Sequence, residues 1–182
     1  DSGPGSLRFW LETAVPGDTI AFDTAVFAPS HPATITLSTA LPPLSVGDLT
    51  IDGSNAGVVL DGSLLPGTEL GLWLPSDGNT IRGLQMIHFS LIAINVTGNH
   101  NHIGGDRSIG NGSTGQGNVI GFSGGGIVLG GGAQENVVEG NLVGTDPRGQ
   151  VSWPNSGGIA INGAATCNTV GGPTAGRRNL IS

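Results

Sequence analysis

The sequence predicts an all-β fold, a right-handed parallel β-helix: a solenoid of three sheets and about five coils, with a short N-terminal capping helix. Four asparagines each stand two residues before a β-branched apolar residue, and each follows an apolar pair at a nearly fixed distance. The asparagines are Asn79, Asn101, Asn136 and Asn168, and the pairs are Leu72/Leu74, Ile92/Ile94, Ile127/Leu129 and Ile159/Ile161. A unit recurring at this interval is typical of a solenoid rather than a closed globule. The right-handed sense follows only from the general preference of parallel crossovers.

The composition supports many short strands and excludes several classes of protein. The 34 glycines and 11 prolines follow no Gly-X-Y period, so the chain is not collagen. Charged residues are scarce, at 10%, and apolar residues are plentiful, which argues against disorder. The net charge of −7, with six arginines and no lysine, argues against nucleic acid as a partner. Without an 18-residue apolar run, no membrane insertion is expected. The single Cys167 excludes an internal disulfide, and its role stays open.

Residues 1–47 are expected to form an N-terminal cap and a first irregular coil. Ser6 is placed to N-cap a helix over Leu7–Val15, and Pro16-Gly17 ends it. A helix this short is marginal alone in water, so we expect it to cover the open end of the solenoid. Strands are predicted at Asp18–Phe22 and Thr34–Leu37, before a proline-rich stretch that is unsuited to a central strand.

Residues 48–182 are predicted to hold the regular coils, truncated at the C-terminus. Aligning the first apolar residue of each pair gives positions 49, 72, 92, 127 and 159, so the longer steps need inserted outward loops. A second match aligns residues 85–90 with 118–123, which sets His88 opposite Gly121 and suggests a tolerant surface position. Each coil is then predicted to contain three strands. The strand that carries the apolar pair leads through the asparagine bend to a second strand, and a Gly-Asn or Arg-Asn bend leads to the third.

The four asparagines are predicted to form a structural ladder. Asparagine tolerates a left-handed bend, and its amide both donates and accepts hydrogen bonds. Stacked coil over coil, the side chains would satisfy groups that are otherwise buried. A ligand role is disfavoured, since each amide faces the next.

The bends carry stretches that resemble a known family. Residues 140–146 (GNLVGTD), 168–176 (NTVGGPTAG) and 178–182 (RNLIS) are similar to repeats of bacterial right-handed parallel β-helix proteins. Residues 1–8 and 16–22 resemble the capped N-terminus of the CSLREA-type members. The resemblance implies an extracellular or cell-surface location in a bacterium, and it implies no catalytic residue.

Catalysis on such a scaffold would need convergent carboxylates. Glycoside hydrolysis uses two, about 5–9.5 Å apart, and the weak candidates are Glu135, Glu139 and Asp146. The asparagine bend splays the two glutamates, so a solvated surface position is favoured for these carboxylates. Asp52 and Asp61 each precede glycine and are simpler as turn residues. Ca²⁺, which related lyases hold with clustered carboxylates, finds no support.

Other side chains suggest weaker sites. His100 and His102 flank Asn101, and Asp106 lies nearby in the sequence. The two histidines are a possible zinc pair, but the spacing fixes no third ligand. No metal or other cofactor is therefore predicted. Trp73 should lie on the outside of a sheet, and Trp153 lies in a long loop; exposed tryptophans stack on sugar rings, although packing under a loop is favoured.

The favoured function is a non-enzymatic extracellular module, a rigid scaffold or adhesin-like element with weak carbohydrate binding. The alternative is a fragment of a carbohydrate-active enzyme, such as a polysaccharide lyase, glycoside hydrolase or epimerase, with one sheet face as its groove. The expected partners are a polysaccharide or cell-surface glycan. The C-terminal coil is also expected to associate end to end with another copy, unless further residues follow.

Overall fold

The computed structural model describes residues 2–182, so Asp1 of the predicted cap motif lies outside the described residues. The fold is all-β, with three parallel sheets, one α-helix and one 3₁₀ turn. The helix is α1 (Leu7–Thr13), and the turn is Ala175–Arg177. The strands are β1 (Thr19–Ala21), β2 (Ala33–Thr36), β3 (Thr50–Asp52), β4 (Val58–Asp61), β5 (Leu72–Leu74), β6 (Thr80–Arg82), β7 (Leu84–Ile87), β8 (Ile92–Val96), β9 (His102–Gly104), β10 (Val119–Gly121), β11 (Gly125–Leu129), β12 (Val137–Glu139), β13 (Leu142–Val143), β14 (Ile159–Ile161), β15 (Thr169–Val170) and β16 (Leu180–Ile181).

From β3 onward each sheet takes every third strand, in chain order. Sheet 1 is β1-β3-β6-β9-β12-β15, sheet 2 is β2-β4-β7-β10-β13-β16, and sheet 3 is β5-β8-β11-β14. Four consecutive triplets therefore form coils 2 to 5 (β3–β5, β6–β8, β9–β11 and β12–β14). A two-strand coil precedes them (coil 1, β1–β2) and another follows (coil 6, β15–β16). This recurrence is consistent with a parallel β-solenoid, and the predicted all-β class with a short helix is confirmed at that level.

The core lies between the three sheets and is filled from each coil. On sheet 1, alternation turns the central residue of every strand inward, so Ile51, Ile81, Ile103 and Val138 stack and are fully buried. Sheet 3 contributes a similar column of Leu72, Ile94 and Ile127. These columns make one hydrophobic core along the coils.

Helix α1 covers the first coil. Ser6 Oγ accepts the Phe9 amide at 3.2 Å, and Leu7 and Leu11 join the core. The helix ends at Thr13, two residues before the predicted end, because Ala14 is already extended (ψ 148°). Val15 precedes a proline, which disfavours the helical conformation for that residue. No helix within residues 2–182 has the length and apolar character needed to cross a membrane.

The predicted alignment of the apolar pairs is wrong at two places. Leu72 pairs with Ile94 rather than Ile92, so the equivalent pair on β8 is Ile94/Val96. Leu49 does not belong to that series; its amide donates to Oδ1 of Asn79, so Leu49 occupies the bend position where later coils have asparagine. β8 contains two overlapping apolar pairs, Ile92/Ile94 and Ile94/Val96, so the sequence pattern fits either alignment.

The predicted match of residues 85–90 with 118–123 is also wrong, by one residue. Gln85 pairs with Val119 and Ile87 with Gly121, so His88 stacks on Phe122 rather than opposing Gly121. A one-residue slip exchanges the faces of a strand. Here the buried Leu84 and Met86 determine the register, since both must point into the core.

Candidate functional site

The first asparagine column lies at the bend that leads into sheet 1. Asn79, Asn101 and Asn136 are buried, and each backbone amide donates to Oδ1 of the asparagine in the next coil at 2.8–2.9 Å. Nδ2 of Asn79 and Nδ2 of Asn136 donate onward in the same way, to Asn101 and Asn168. Nδ2 of Asn101 is buried and has no partner among the described residues. The column therefore joins adjacent coils through backbone and side-chain hydrogen bonds. The predicted left-handed bend at the asparagine itself is wrong by one residue, because the left-handed residues are those directly before the asparagines: Gly78, His100, Glu135 and Cys167.

A second column, which the sequence reasoning did not assign, lies at the bend between sheets 1 and 2. The Leu84 amide donates to Oδ1 of Asn118, Nδ2 of Asn118 to Asn141, and Nδ2 of Asn141 to Asn179. The signal was present, because each of these asparagines directly precedes an apolar pair in β10, β13 or β16. A shorter column at the third bend joins Phe89, Ser123 and Asn155.

On the outer face of sheet 1, charged side chains of neighbouring coils pair. Asp52 on β3 accepts Nη2 of Arg82 on β6 at 2.6 Å. Burial raises the pKa of Asp52, but hydrogen bonds from Arg82 and Ser54, together with the charge of Arg82, outweigh it and hold that pKa below its ordinary value. The predicted turn role of Asp52 is also present, as its Oδ1 accepts the Ser54 amide.

Glu139 is the most buried carboxylate on this face, and the expectation of a solvated position is wrong for it. Its side chain is 6% exposed. His102 Nε2 lies 3.1 Å from Glu139 Oε1, and Nη1 of Arg177 lies 3.6 Å from the same oxygen. The two partners come from coil 4 and from the 3₁₀ turn of coil 6, so coil stacking and not local spacing creates the cluster.

The remaining histidine and acid candidates separate into different contacts. His100 Nδ1 lies 3.3 Å from Glu135, with both side chains mostly exposed, so the two histidines face different carboxylates. Asp106 faces Arg177 at 4.0 Å, and hydrogen bonds from Ser108 are the main cause that lowers the pKa of Asp106. Within residues 2–182 no group of three or more His, Cys, Asp or Glu side chains is placed to hold a metal ion.

Asp146 organises its own loop. Its Oδ1 accepts the backbone amides of Val151 and Gln150, and these bonds lower the pKa of Asp146. No contact joins Asp146 to Glu139 or Glu135 in the described part of the chain. The three carboxylates proposed from the sequence are therefore not brought together. Cys167 is exposed, at a left-handed bend residue before Asn168.

Trp153 packs beside a short aromatic stack. Phe122 lies between His88 and Trp153, with ring centroids 5.4 Å apart on each side. Gly121 makes room for the indole, since a Cβ there would lie 2.6 Å from the Trp153 Cβ. His88 also contacts Asp61 at 3.0 Å. Burial raises the pKa of Asp61, yet hydrogen bonds from Ser63 and His88 leave it below its ordinary value. One face of the Trp153 ring is therefore packed on Phe122.

Trp73 lies on the outer face of sheet 3 and lines a groove. Its side chain is exposed, as alternation predicts between the buried Leu72 and Leu74, and Nε1 donates to Thr97 Oγ1 of the next coil at 3.1 Å. The groove has a volume of about 340 Å³. Its lining is Ala40, Leu41, Pro43, Thr68, Glu69, Leu70, Gly71 and Trp73.

No protein-family model, curated protein or solved structure matches this chain. The assignment of a function therefore depends on the geometry described above and on the resemblance of the bend motifs.

Proposed function

We propose that this chain is a non-enzymatic, rigid solenoid module that acts as a scaffold or adhesin-like element outside a bacterial cell or on its surface, with weak contact to glycans. The observation that carries the proposal is that polar side chains at the bends are used to join adjacent coils. Nine of them, at three bends, accept hydrogen bonds from backbone amides of the adjacent coil. A buried amide held in this way strengthens the stack and is unavailable to a substrate.

The family resemblance belongs to the same proposal. Three parallel sheets and a short N-terminal helix over the first coil support a right-handed parallel β-helix of the secreted repeat type. The right-handed course of the coils, the bacterial origin and the surface location are proposed with it. Surface proteolysis of intact cells tests the location: protease should remove the protein from intact cells, and full protection until lysis would contradict it.

The absence of enzymatic activity is tested directly. Purified protein incubated with a panel of neutral and acidic polysaccharides should release neither reducing ends nor unsaturated products. Hydrogen exchange on the same sample should show slow exchange at the bend amides of Asn101 and Asn136, as expected of a rigid scaffold. Product release that is lost on replacing a carboxylate would overturn the proposal.

A second candidate, a carbohydrate-active enzyme, is favoured by one observation. Glu139 is buried against His102 and Arg177, and a buried carboxylate that orients a half-exposed histidine suits general acid–base chemistry. If the polysaccharide panel shows turnover, His102→Gln should abolish it while His31→Gln, in an exposed loop, should not. Equal loss in both variants would argue against this candidate.

End-to-end self-association through the coil of β15 and β16 is proposed for a chain in which no further residues cover that coil. Val170, Leu180 and Ile181 are exposed apolar residues on β15 and β16, and exposed strand edges favour pairing. Sedimentation velocity over a range of concentrations should show a growing dimer fraction. A monomer at every concentration would contradict the association.

A further inference from the structure

We infer that the groove beside Trp73 is a binding site for a neutral oligosaccharide. The inference rests on the glycan contact in the proposed function and adds its location and its chemical class. The groove lies between coil 1, which contributes Leu41 and Pro43, and the loop that precedes β5, which contributes Thr68 and Glu69. Its volume of about 340 Å³ is at the lower end of the usual range for small-ligand sites.

The apolar wall of the groove is suited to the C–H face of a sugar. Trp73 is 40% exposed, and the hydrogen bond from its Nε1 to Thr97 restricts the orientation of the indole. Leu41, Pro43 and Leu70 extend the apolar surface next to it. A fixed indole loses little conformational entropy when a ligand packs on it, and an aromatic ring provides a large contact area.

The polar side chains of the groove are unpaired, in contrast to several carboxylates elsewhere in the fold. The Glu69 carboxylate and the Thr68 hydroxyl have no hydrogen-bond or ion-pair partner among residues 2–182. By comparison Asp52, Asp106 and Asp146 all bind amides of their own turns. A few unpaired polar groups beside an apolar wall are the arrangement that orients a small ligand.

The negative charge of the groove and of the protein restricts which ligands can bind. The carboxylate of Glu69 accepts hydrogen bonds from hydroxyl groups but repels carboxylate, sulfate and phosphate groups, and the net charge of −7 acts in the same direction. An extended peptide is disfavoured as well, since such ligands add to a free strand edge. Here the Trp73 carbonyl already accepts the amide of Leu44. A neutral polyol with one apolar face uses the apolar wall, the Thr68 hydroxyl and the Glu69 carboxylate together.

The experiment uses the three tryptophans as position-specific reporters. The indole N–H signals of Trp10, Trp73 and Trp153 are assigned in a ¹⁵N–¹H spectrum with single Trp→Phe variants. The protein is then titrated into the millimolar range with neutral oligomers of β-1,4-linked glucose, β-1,4-linked N-acetylglucosamine and α-1,4-linked glucose. An oligogalacturonate serves as the anionic comparison. One neutral series should shift the Trp73 signal saturably, while the Trp10 signal stays in place and the oligogalacturonate has no effect.

Variants then separate the groove from the rest of the surface. Trp73→Ala and Glu69→Gln should each weaken binding by about tenfold or more, corresponding to about 1.4 kcal/mol. Trp10→Ala, a matched variant of a similarly exposed tryptophan outside the groove, should leave the affinity unchanged. Circular dichroism checks that each variant is folded.

Three results would overturn the inference: no saturable shift with any neutral oligomer, binding that persists in folded Trp73→Ala, or shifts confined to Trp10 or Trp153. None of these would disturb the scaffold proposal, which is judged by slow amide exchange and by the absence of product release. Conversely, product release with an intact Trp73 response would reject the scaffold and leave the groove assigned.

Discussion

On the outer face of sheet 1, charged side chains from neighbouring coils pair with one another. At sheet 3, by contrast, Trp73 on the outer face and Glu69 in the loop before β5 border an open groove. Both faces are built by the same coils and are partly exposed. On sheet 1, Asp52 meets Arg82 and Glu139 meets His102, so the charges connect coils. The difference teaches that exposure alone does not mark a binding site. What distinguishes the groove beside Trp73 is that the Glu69 carboxylate and the Thr68 hydroxyl have no hydrogen-bond or ion-pair partner among residues 2–182.

The largest expected effect is the difference in unfolding free energy between two Asn→Ala variants, one at a buried bend and one on the outer face of sheet 3. Asn136→Ala leaves the amide of Asn101 and the carbonyl of Gly98 without their partners and should cost about 3 kcal/mol of unfolding free energy. Asn95→Ala, on sheet 3 beside Trp73, should cost less than about 0.5 kcal/mol. Urea denaturation measures both, and equal costs would remove the distinction between the two environments.

The next largest effect compares two glutamates. Glu139→Gln keeps the shape of the side chain but removes the negative charge beside His102 and Arg177, so stability at neutral pH should fall by about 1–2 kcal/mol. Glu69→Gln should leave the urea midpoint unchanged, because the carboxylate has no described partner. A double-mutant cycle with His102→Gln should show coupling for Glu139. Additive effects would mean that the buried pair contributes nothing specific.

A smaller and more local effect is expected at the loop between β9 and β10, which runs along the bend between sheets 1 and 2. Arg107 in this loop donates to the carbonyls of Gly140, Ala175 and Arg178. Arg107→Ala should cost about 1 kcal/mol, with faster hydrogen exchange confined to coils 5 and 6. Arg148→Ala, in an exposed loop, is the control. Faster exchange that spreads evenly through coils 2 and 3 would contradict a local role.

The smallest effect is the pH dependence of the Asp52–Arg82 pair. Because the pKa of Asp52 in the fold is lowered from 3.8, its contribution is complete above pH 3.8 and is lost as pH falls through the lower folded value. The pair is partly exposed, so the loss should be no more than about 1 kcal/mol. Asp52→Asn should reduce the slope of stability against pH below about 4. An unchanged slope would show that the pair does not respond to acid.

The coil pattern was accessible from the sequence because it depends on local chemistry. An asparagine directly after a left-handed residue, and two residues before a β-branched apolar residue, recurs with nearly the same spacing. The capping role of Ser6 at α1 is equally local. The register was less accessible. Ile92, Ile94 and Val96 occupy every second position of β8 and are all apolar. A shift of the strand by two residues therefore satisfies the apolar pattern equally well. Only the neighbouring coil decides which isoleucine lies over Leu72.

The sites were the least accessible, since their members are distant in sequence. Glu139 and His102 are 37 residues apart, and Trp73 and Thr97 are 24 apart. The inserted loops differ in length from coil to coil, so no fixed spacing reveals which side chains will meet. The burial of Glu139 depends on Arg177 of a later coil, and the groove at Trp73 depends on Leu41 of an earlier one.

The class of fold, the position of the bends and the inward residues were therefore readable from local sequence, because they follow from apolar alternation and from the recurring asparagine whose amide bonds the adjacent coil. The stacking of coils decided the register, the second asparagine column, which carboxylates are paired and where a groove remains open. The physical reason is that side-chain contacts between parallel coils are made across the stacking direction, along which the chain carries no local signal.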